Sequence, residues 1–164
     1  AGYMVGKSDT EFKPNDKLTR AEMATVLSRL VTTSATKSNI FKDIKGDEWY
    51  AQNIISMSSK GLIKGYEDKT FKPKNNITRT ETMVILARMA KENNTYTKPQ
   101  NVEQVLAVYK DSKSVPTWAK EEIAWAIETG LIKGDESNKL NMKNNITRAE
   151  TAVVLCRLLE LEKH

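Results

Sequence analysis

The sequence predicts a mainly α-helical protein that is made of three copies of one structural unit. The four-residue word Thr-Arg-(Ala or Thr)-Glu occurs three times, at residues 19–22, 78–81 and 147–150. A glycine stands 13 residues before each of these threonines, at Gly6, Gly65 and Gly134. Fixed internal spacing of this kind indicates tandem repeats. A repeat array presents several copies of one surface, which suits a repetitive ligand better than single-site catalysis.

The composition is that of a soluble protein with a hydrophobic core. Hydrophobic residues make up 39% of the 164 residues and charged residues 29%. No apolar run approaches the roughly 20 residues of a membrane-spanning helix. The net charge of +5 leaves three kinds of polyanionic partner open: nucleic acid, a teichoic-acid-like polymer and acidic polysaccharide.

The second copy shows the order of elements within the unit. It opens with Phe41-Lys42-Asp43, and residues 47–60 are predicted to form a helix that ends at Gly61 in the left-handed conformation. An extended piece and a turn at residues 67–70 lead to a polar loop. The repeated word then begins a second helix, predicted over residues 79–92.

The same order recurs in the third copy and only partly in the first. Tyr109-Lys110-Asp111 and Trp118 match the opening of the second copy, whereas the first copy lacks its aromatic-Asp opening and its tryptophan. A short extra helix is predicted after Asn101. The copies are assigned to residues 1–34, 39–92 and 107–162, with a connector at 93–106.

The threonine and glutamate of the word predict a helix start. Thr followed three residues later by Glu is a capping box, in which each side chain bonds the other residue's backbone N–H. An apolar stripe at helical spacing follows each box, as at Met23, Val26 and Leu27. Three equivalent amphipathic helices predict a central three-helix bundle, with shorter helices and loops around it.

The arginine of the word is not required by a capping box. Arg20, Arg79 and Arg148 stand at the first helical position, where a cation opposes the helix dipole. Free N–H groups at a helix start attract anions, and an arginine fork beside them would suit a carboxylate or phosphate. The alternative is a structural ion pair with Asp43 or Asp111 of another copy.

Catalysis has little support in the sequence. The only histidine is His164, and no Ser/His/Asp set, Cys/His set or metal-ligand spacing is present. We therefore expect no enzyme activity, no cofactor and no metal site. Cys156 aligns with small residues beside the helical core, which predicts a packed thiol. Evenly spread basic residues without a reading motif disfavour nucleic-acid binding.

The ordered motifs resemble the S-layer homology (SLH) domain. These motifs are Phe-x-Asp, a tryptophan, Gly-Leu-Ile-Lys-Gly-Tyr-x-Asp-x-Thr-Phe-x-Pro and Ile-Thr-Arg-x-Glu, and they cover nearly the whole chain. The resemblance implies a pseudo-threefold array of three repeats, the first truncated, that anchors a surface protein non-covalently to the bacterial cell wall. The implied ligand is secondary cell wall polysaccharide, an anionic, peptidoglycan-linked polymer that often carries a pyruvate ketal. An extracellular location at the wall or S-layer and a monomeric isolated domain are also expected.

The resemblance also implies which residues bind. In that family the grooves lie between neighbouring repeats, the arginine is a main functional residue, and the opening aspartate and the glycine before the turn are family positions. A tryptophan on a helix face is more often a core residue, and stacking on sugar rings is the second interpretation of the two tryptophans. Two lysines would flank the grooves. The expected site residues are Arg20, Arg79, Arg148, Asp43, Asp111, Gly65, Gly134, Trp49, Trp118, Lys64 and Lys133.

Two departures from the pattern qualify this expectation. Copy one lacks its aspartate and tryptophan, and the turn of copy three lacks the aspartate and phenylalanine, so fewer than three equivalent sites are expected. The alternative function is a protein-protein or self-assembly module of a surface layer.

Overall fold

The computed structural model describes residues 12–31, 38–161 and 163. Gly6, His164 and most of the linker after the first copy lie outside this part of the chain. The described residues form six α-helices, which confirms the mainly helical class. They are α1 Arg20–Ser28, α2 Ala51–Ser59, α3 Arg79–Glu92, α4 Val102–Ala107, α5 Lys120–Glu128 and α6 Arg148–Leu161. No β-strand occurs among them, and none of these helices is long and apolar enough to cross a membrane.

The chain divides into two compact units, which we call unit 1 (Ala1–Ile77) and unit 2 (Thr78–His164). The boundary falls inside the second sequence copy. Unit 1 therefore joins α1 of the first copy to α2 of the second, and unit 2 joins α3 of the second copy to the third copy. Each compact unit is offset from the sequence repeat by part of a copy.

Capping boxes begin all three helices that follow the repeated word, as predicted. Thr19 Oγ1 accepts from Glu22 N at 3.1 Å while Thr19 N donates to Glu22 Oε2 at 2.7 Å. The same reciprocal pair forms at Thr78 and at Thr147. Each box satisfies N–H groups that a helix start leaves without an intrahelical partner.

Helix α2 begins later than the sequence predicted. The Glu48 carboxylate accepts the N–H groups of Lys45 and Gly46, and Gly46 has a φ of +105°, so a turn occupies the residues before Ala51. These hydrogen bonds hold the pKa of Glu48 below its usual value. The predicted end is confirmed, since Gly61 adopts a φ of +72° and Leu62 N donates to Met57 O.

Both units have an apolar core that matches the predicted stripes. In unit 1, α1 packs on α2, and Met23, Leu27 and Ile54 are fully buried. In unit 2, α3 packs on α5, and Trp125 is only 1% exposed. Burial of such side chains contributes about 2 kcal/mol each.

The connector packs on unit 2. Asn101 caps α4 as predicted, and α4 packs on α5. The Tyr96 ring stacks on Trp125 at 5.4 Å, and its hydroxyl donates to Glu121 Oε1 at 3.0 Å. Burial and this carboxylate raise the pKa of Tyr96 well above its ordinary value near 10. The connector is therefore an ordered part of the unit.

Candidate functional site

The start of α1 docks on the loop of the next copy within unit 1. Arg20 N donates to Asn75 O at 2.8 Å and Ala21 N to Pro73 O at 3.0 Å, while Ile77 N donates back to Leu18 O at 2.9 Å. The loop carbonyls thus occupy the N–H groups of the first two helical residues.

The start of α3 docks in the same way within unit 2. Arg79 N donates to Asn144 O at 2.9 Å, and both the N–H and the hydroxyl of Thr80 donate to Met142 O. The third N–H of each helix belongs to the capping box. The argument that free N–H groups at the helix start attract an anion is therefore wrong for α1 and α3.

The Arg20 side chain is buried against the arm formed by residues 64–72. Its Nε donates to Phe71 O at 2.8 Å, and one Nη donates to Lys64 O at 3.0 Å. The guanidinium carbon lies 4.6 Å from the Phe71 ring centroid and 4.9 Å from that of Tyr66. With 6% exposure, Arg20 ties the two sides of the arm together.

Arg79 occupies the equivalent position in unit 2. Its Nε donates to Leu140 O at 3.2 Å, and Nη1 pairs with Glu150 Oε2 at 3.0 Å. The side chains of Arg79 and Glu150 are 16% and 44% exposed. The alternative of a structural ion pair is confirmed for Arg79, but its acidic partner is the glutamate of the next capping box and not Asp43 or Asp111. Arg148 is buried at the start of α6.

The opening aspartates brace the arms of their own copies. Asp43 accepts the N–H groups of Phe71 and Lys72, both at 2.8 Å. Asp111 accepts those of Leu140 and Asn141 at the same distance. Each carboxylate thereby accepts two backbone N–H groups, which holds this part of the arm in place.

The two predicted glycines allow the opening aromatic ring to lie against the arm. A Cβ at Gly65 would stand 2.5 Å from Phe41 Cε1 and 2.5 Å from Thr70 O. A Cβ at Gly134 would stand 2.8 Å from Tyr109 Cε1. Neither position has room for a larger residue unless its neighbours move.

A cleft of about 590 Å³ opens along the arm of unit 1. Its wall is largely apolar and includes Phe41, Ile63 and Gly65 together with the exposed Ile40. Its polar groups come from Ser58, Lys64, Tyr66 and Lys69. The cleft brings together two predicted site residues, Lys64 and Gly65, and Arg20 lies behind Tyr66.

The tryptophans lie on the surface. Trp49 is 66% exposed and Trp118 is 63% exposed, so the core position that the sequence favoured is wrong for both. Trp49 contacts Tyr50 edge-on at 5.1 Å, which leaves much of its indole open. Cys156 is also exposed, so the predicted packed thiol is wrong.

Tyr66, Lys69 and Lys72 also lie at or beside the cleft of unit 1, but they were not among the site residues predicted from the sequence. Only Tyr66 is a named position of the family motif. Lys72 Nζ lies 4.2 Å from the Tyr66 ring centroid, and Lys69 lines the cleft beside it. A difference between the copies could have indicated these residues, because Asp135, Asn138 and Asn141 stand at the corresponding positions of the third copy. Among the described residues, no group of acidic, histidine and cysteine side chains could hold a metal ion.

Comparisons with known proteins agree with these motifs. The S-layer homology domain model matches residues 1–24, 40–83 and 108–152. The chain is 36% identical to an amylopullulanase of Thermoanaerobacterium thermosulfurigenes, over 94% of this chain and 8% of that protein. It is 32% identical to the surface-layer 125 kDa protein of Lysinibacillus sphaericus, over 98% of this chain and 13% of the relative.

A third relative is the cellulosome-anchoring protein of Acetivibrio thermocellus, which is 31% identical over 98% of this chain and 36% of its own length. The chain thus spans between 8 and 36% of these relatives, which are named as an enzyme, a surface-layer protein and an anchoring protein. Family membership assigns it to the surface of the bacterial cell. The chain belongs to the S-layer homology domain family.

Proposed function

We propose that this chain is a non-catalytic module that anchors a surface protein to the bacterial cell wall by binding secondary cell wall polysaccharide. The observation that carries the proposal is the cleft of unit 1, where Lys64 and Lys69 flank an apolar wall. Such a combination suits an acidic polymer whose sugar rings also have apolar faces. In the polymer that the family resemblance implies, a pyruvate ketal supplies the acidic group, which is a carboxylate.

The buried arginines support binding indirectly. Arg20 holds the carbonyls of Lys64 and Phe71, which positions the cleft wall, and its charge lies beneath Tyr66. Asp43 and Gly65 keep the same arm in place. We therefore assign these three residues to positioning, and direct ligand contact to the exposed side chains.

Unit 2 supplies the equivalent framework from Arg79, Asp111 and Gly134, with Lys133 exposed on its arm. Trp49 and Trp118 provide open aromatic faces on which sugar rings stack. Several weak sites on one chain raise retention on a polymer through effective concentration. The pseudo-threefold array with a central three-helix bundle, in which Arg148 serves the third position, is part of this proposal.

Three relatives have names that agree with anchoring: a surface-layer protein, a cellulosome-anchoring protein and an S-layer protein. In relatives named as enzymes the chain covers a small fraction of the length, which fits a module separate from the catalytic part. We also propose that the isolated chain is a monomer.

The test is sedimentation with purified cell-wall sacculi. One portion of the walls is native, and the other is stripped of its secondary polymer with hydrofluoric acid. We expect the chain to sediment with native walls and to stay in solution with stripped walls. Equal sedimentation with both would place binding on peptidoglycan, and no sedimentation with either would contradict wall anchoring.

A further inference from the structure

The arms of the two units share one backbone frame. Lys42 N donates to Lys69 O at 2.9 Å in unit 1, and Lys110 N donates to Asn138 O at 3.0 Å in unit 2. The turn within each arm is also closed by equivalent bonds, from Tyr66 N to Thr70 O and from Asp135 N to Lys139 O. Differences between the two arms must therefore come from side chains.

In unit 1 the side chains of the arm leave the cleft open and add positive charge. Residues 64–72 contain three lysines and two acidic residues. One of the acids, Asp68, accepts from Thr70 and lies 4.0 Å from Lys72 Nζ. Lys64 and Lys69 are exposed at the cleft, 40% of Tyr66 is accessible, and an incoming anion meets two ammonium groups.

In unit 2 an asparagine occupies the corresponding space. The Asn138 side-chain amide donates to Val108 O, and its Oδ1 lies 3.4 Å from the position of a Cβ on Gly134. In unit 1 no side-chain atom of Lys69 is among the nearest neighbours of the equivalent position on Gly65. Asn138 thus lies against Gly134, the counterpart of the glycine Gly65 that lines the cleft of unit 1.

In unit 2 an acidic residue also replaces the aromatic residue of the arm. Asp135 stands where unit 1 has Tyr66, and its carboxylate accepts from Ser137 N, Lys139 N and Asn141 Nδ2 at 2.7–3.0 Å. These hydrogen bonds lower the pKa of Asp135, which keeps it ionised at neutral pH. Residues 133–141 contain two lysines and two acids, so the net charge of the arm is zero.

We propose that the carboxylates of the wall polymer bind only in the cleft of unit 1, with Tyr66 and Lys69 as specificity-determining residues, and that unit 2 takes uncharged sugar. This inference rests on the proposed wall binding. Its physical basis is a charge difference at equivalent positions: Lys69 attracts a carboxylate where unit 2 has the neutral Asn138, and Asp135 repels one where unit 1 has Tyr66.

The test uses soluble polymer released from the walls, in native form and with its carboxylates converted to amides. Isothermal titration calorimetry compares wild type with Lys69→Asn, and with the double variant Tyr66→Asp and Lys69→Asn that copies unit 2. We expect wild type to bind native polymer about tenfold more tightly than amidated polymer, because charge-assisted contacts are lost. Both variants should bind the two polymers with equal, weaker affinity.

The matched control is Lys74→Asn, which removes the same charge from an exposed residue of unit 1 outside the cleft lining. It should keep the tenfold preference. Because Tyr66 packs on Arg20 and Lys72, the single variant Lys69→Asn keeps the test valid if the double variant unfolds. The reciprocal variant Asp135→Tyr with Asn138→Lys should increase the preference for native polymer.

A preference that survives in Lys69→Asn would overturn the inference. Equal binding of both polymers by wild type would also overturn it while leaving wall binding intact. Binding of neither polymer by wild type would instead contradict the proposed function.

Discussion

Arg20 and Arg79 occupy the same position of the same repeated word, and the Nε of each donates to the equivalent arm carbonyl, that of Phe71 or of Leu140, but the arms that receive them have different side chains. The guanidinium of Arg20 bonds to carbonyls of Lys64 and Phe71 and lies over two aromatic rings. Arg79 bonds to the carbonyl of Leu140 and pairs with Glu150, and its arm has Asp135 and Leu140 in place of the two aromatic residues. The backbone docking of the two helices is the same, so the word specifies how a helix joins the next copy. The side chains of the receiving arm determine the surroundings of the arginine.

Replacement of the two arginines should separate these environments by stability. Both replacements remove the Nε donor of an arm carbonyl, and Arg20→Ala also removes packing on two rings, so we expect Arg20→Ala to lower the free energy of unfolding by about 4 kcal/mol. Arg79→Ala leaves a Glu150 carboxylate that water can reach, and the expected loss is about 2 kcal/mol. Urea unfolding followed by circular dichroism measures both values. Equal losses would contradict the comparison.

The glycines offer a second comparison with a smaller expected effect. Gly65→Ala places a methyl group 2.5 Å from both the buried Phe41 ring and a backbone carbonyl, which should destabilise the protein by about 3 kcal/mol. Gly134→Ala meets the half-buried Tyr109 ring at 2.8 Å, and this ring can move outward at a cost of about 1 kcal/mol. Thermal unfolding of the two variants checks the order. A larger effect at Gly134 would show that the arm of unit 2 is the more rigid one.

A substitution in the connector should have the smallest effect on stability, and this effect should depend on pH. Tyr96→Phe removes the hydrogen bond to Glu121 and should lower stability by about 1 kcal/mol at pH 7. The folded pKa of Tyr96 is raised above its ordinary value near 10, so its contribution is complete below pH 10 and declines as the pH rises above it. The difference between wild type and variant should therefore shrink above pH 10.

Tyr109→Phe is the control for this prediction, because the Tyr109 hydroxyl has no hydrogen-bond partner among the described residues. It should leave stability within about 0.5 kcal/mol of wild type. A constant difference between wild type and Tyr96→Phe from pH 7 to pH 11 would rule out a raised pKa for Tyr96.

Much of the fold follows from short-range signals in the sequence. Capping boxes fix where α1, α3 and α6 begin, and Gly61 and Gly130 fix where α2 and α5 end, since both adopt a φ of +72°. Each of these features depends on a few neighbouring residues, and each recurs in more than one copy. The start of α2 was predicted too early, because the Glu48 side chain captures the preceding N–H groups.

The site was harder to predict because its geometry depends on contacts distant in sequence. Arg20 reaches carbonyls 44 and 51 residues away, so the word alone could not separate a ligand contact from a structural one. Burial of individual side chains was also uncertain, as Trp49, Trp118 and Cys156 show. The differences between copies, by contrast, were visible in the sequence and now distinguish the two clefts.

The central claim is that the cleft of unit 1 binds the wall polymer. The most direct measurement is the fraction that sediments with native and stripped sacculi, for wild type beside the variant Lys64→Glu with Lys69→Glu. Both side chains are exposed, so the fold should survive the charge reversal, as circular dichroism can confirm. We predict that the fraction of the folded variant that sediments with native walls falls well below that of wild type, and that only the part contributed by unit 2 remains. Wild-type retention of the variant on native walls would contradict the account.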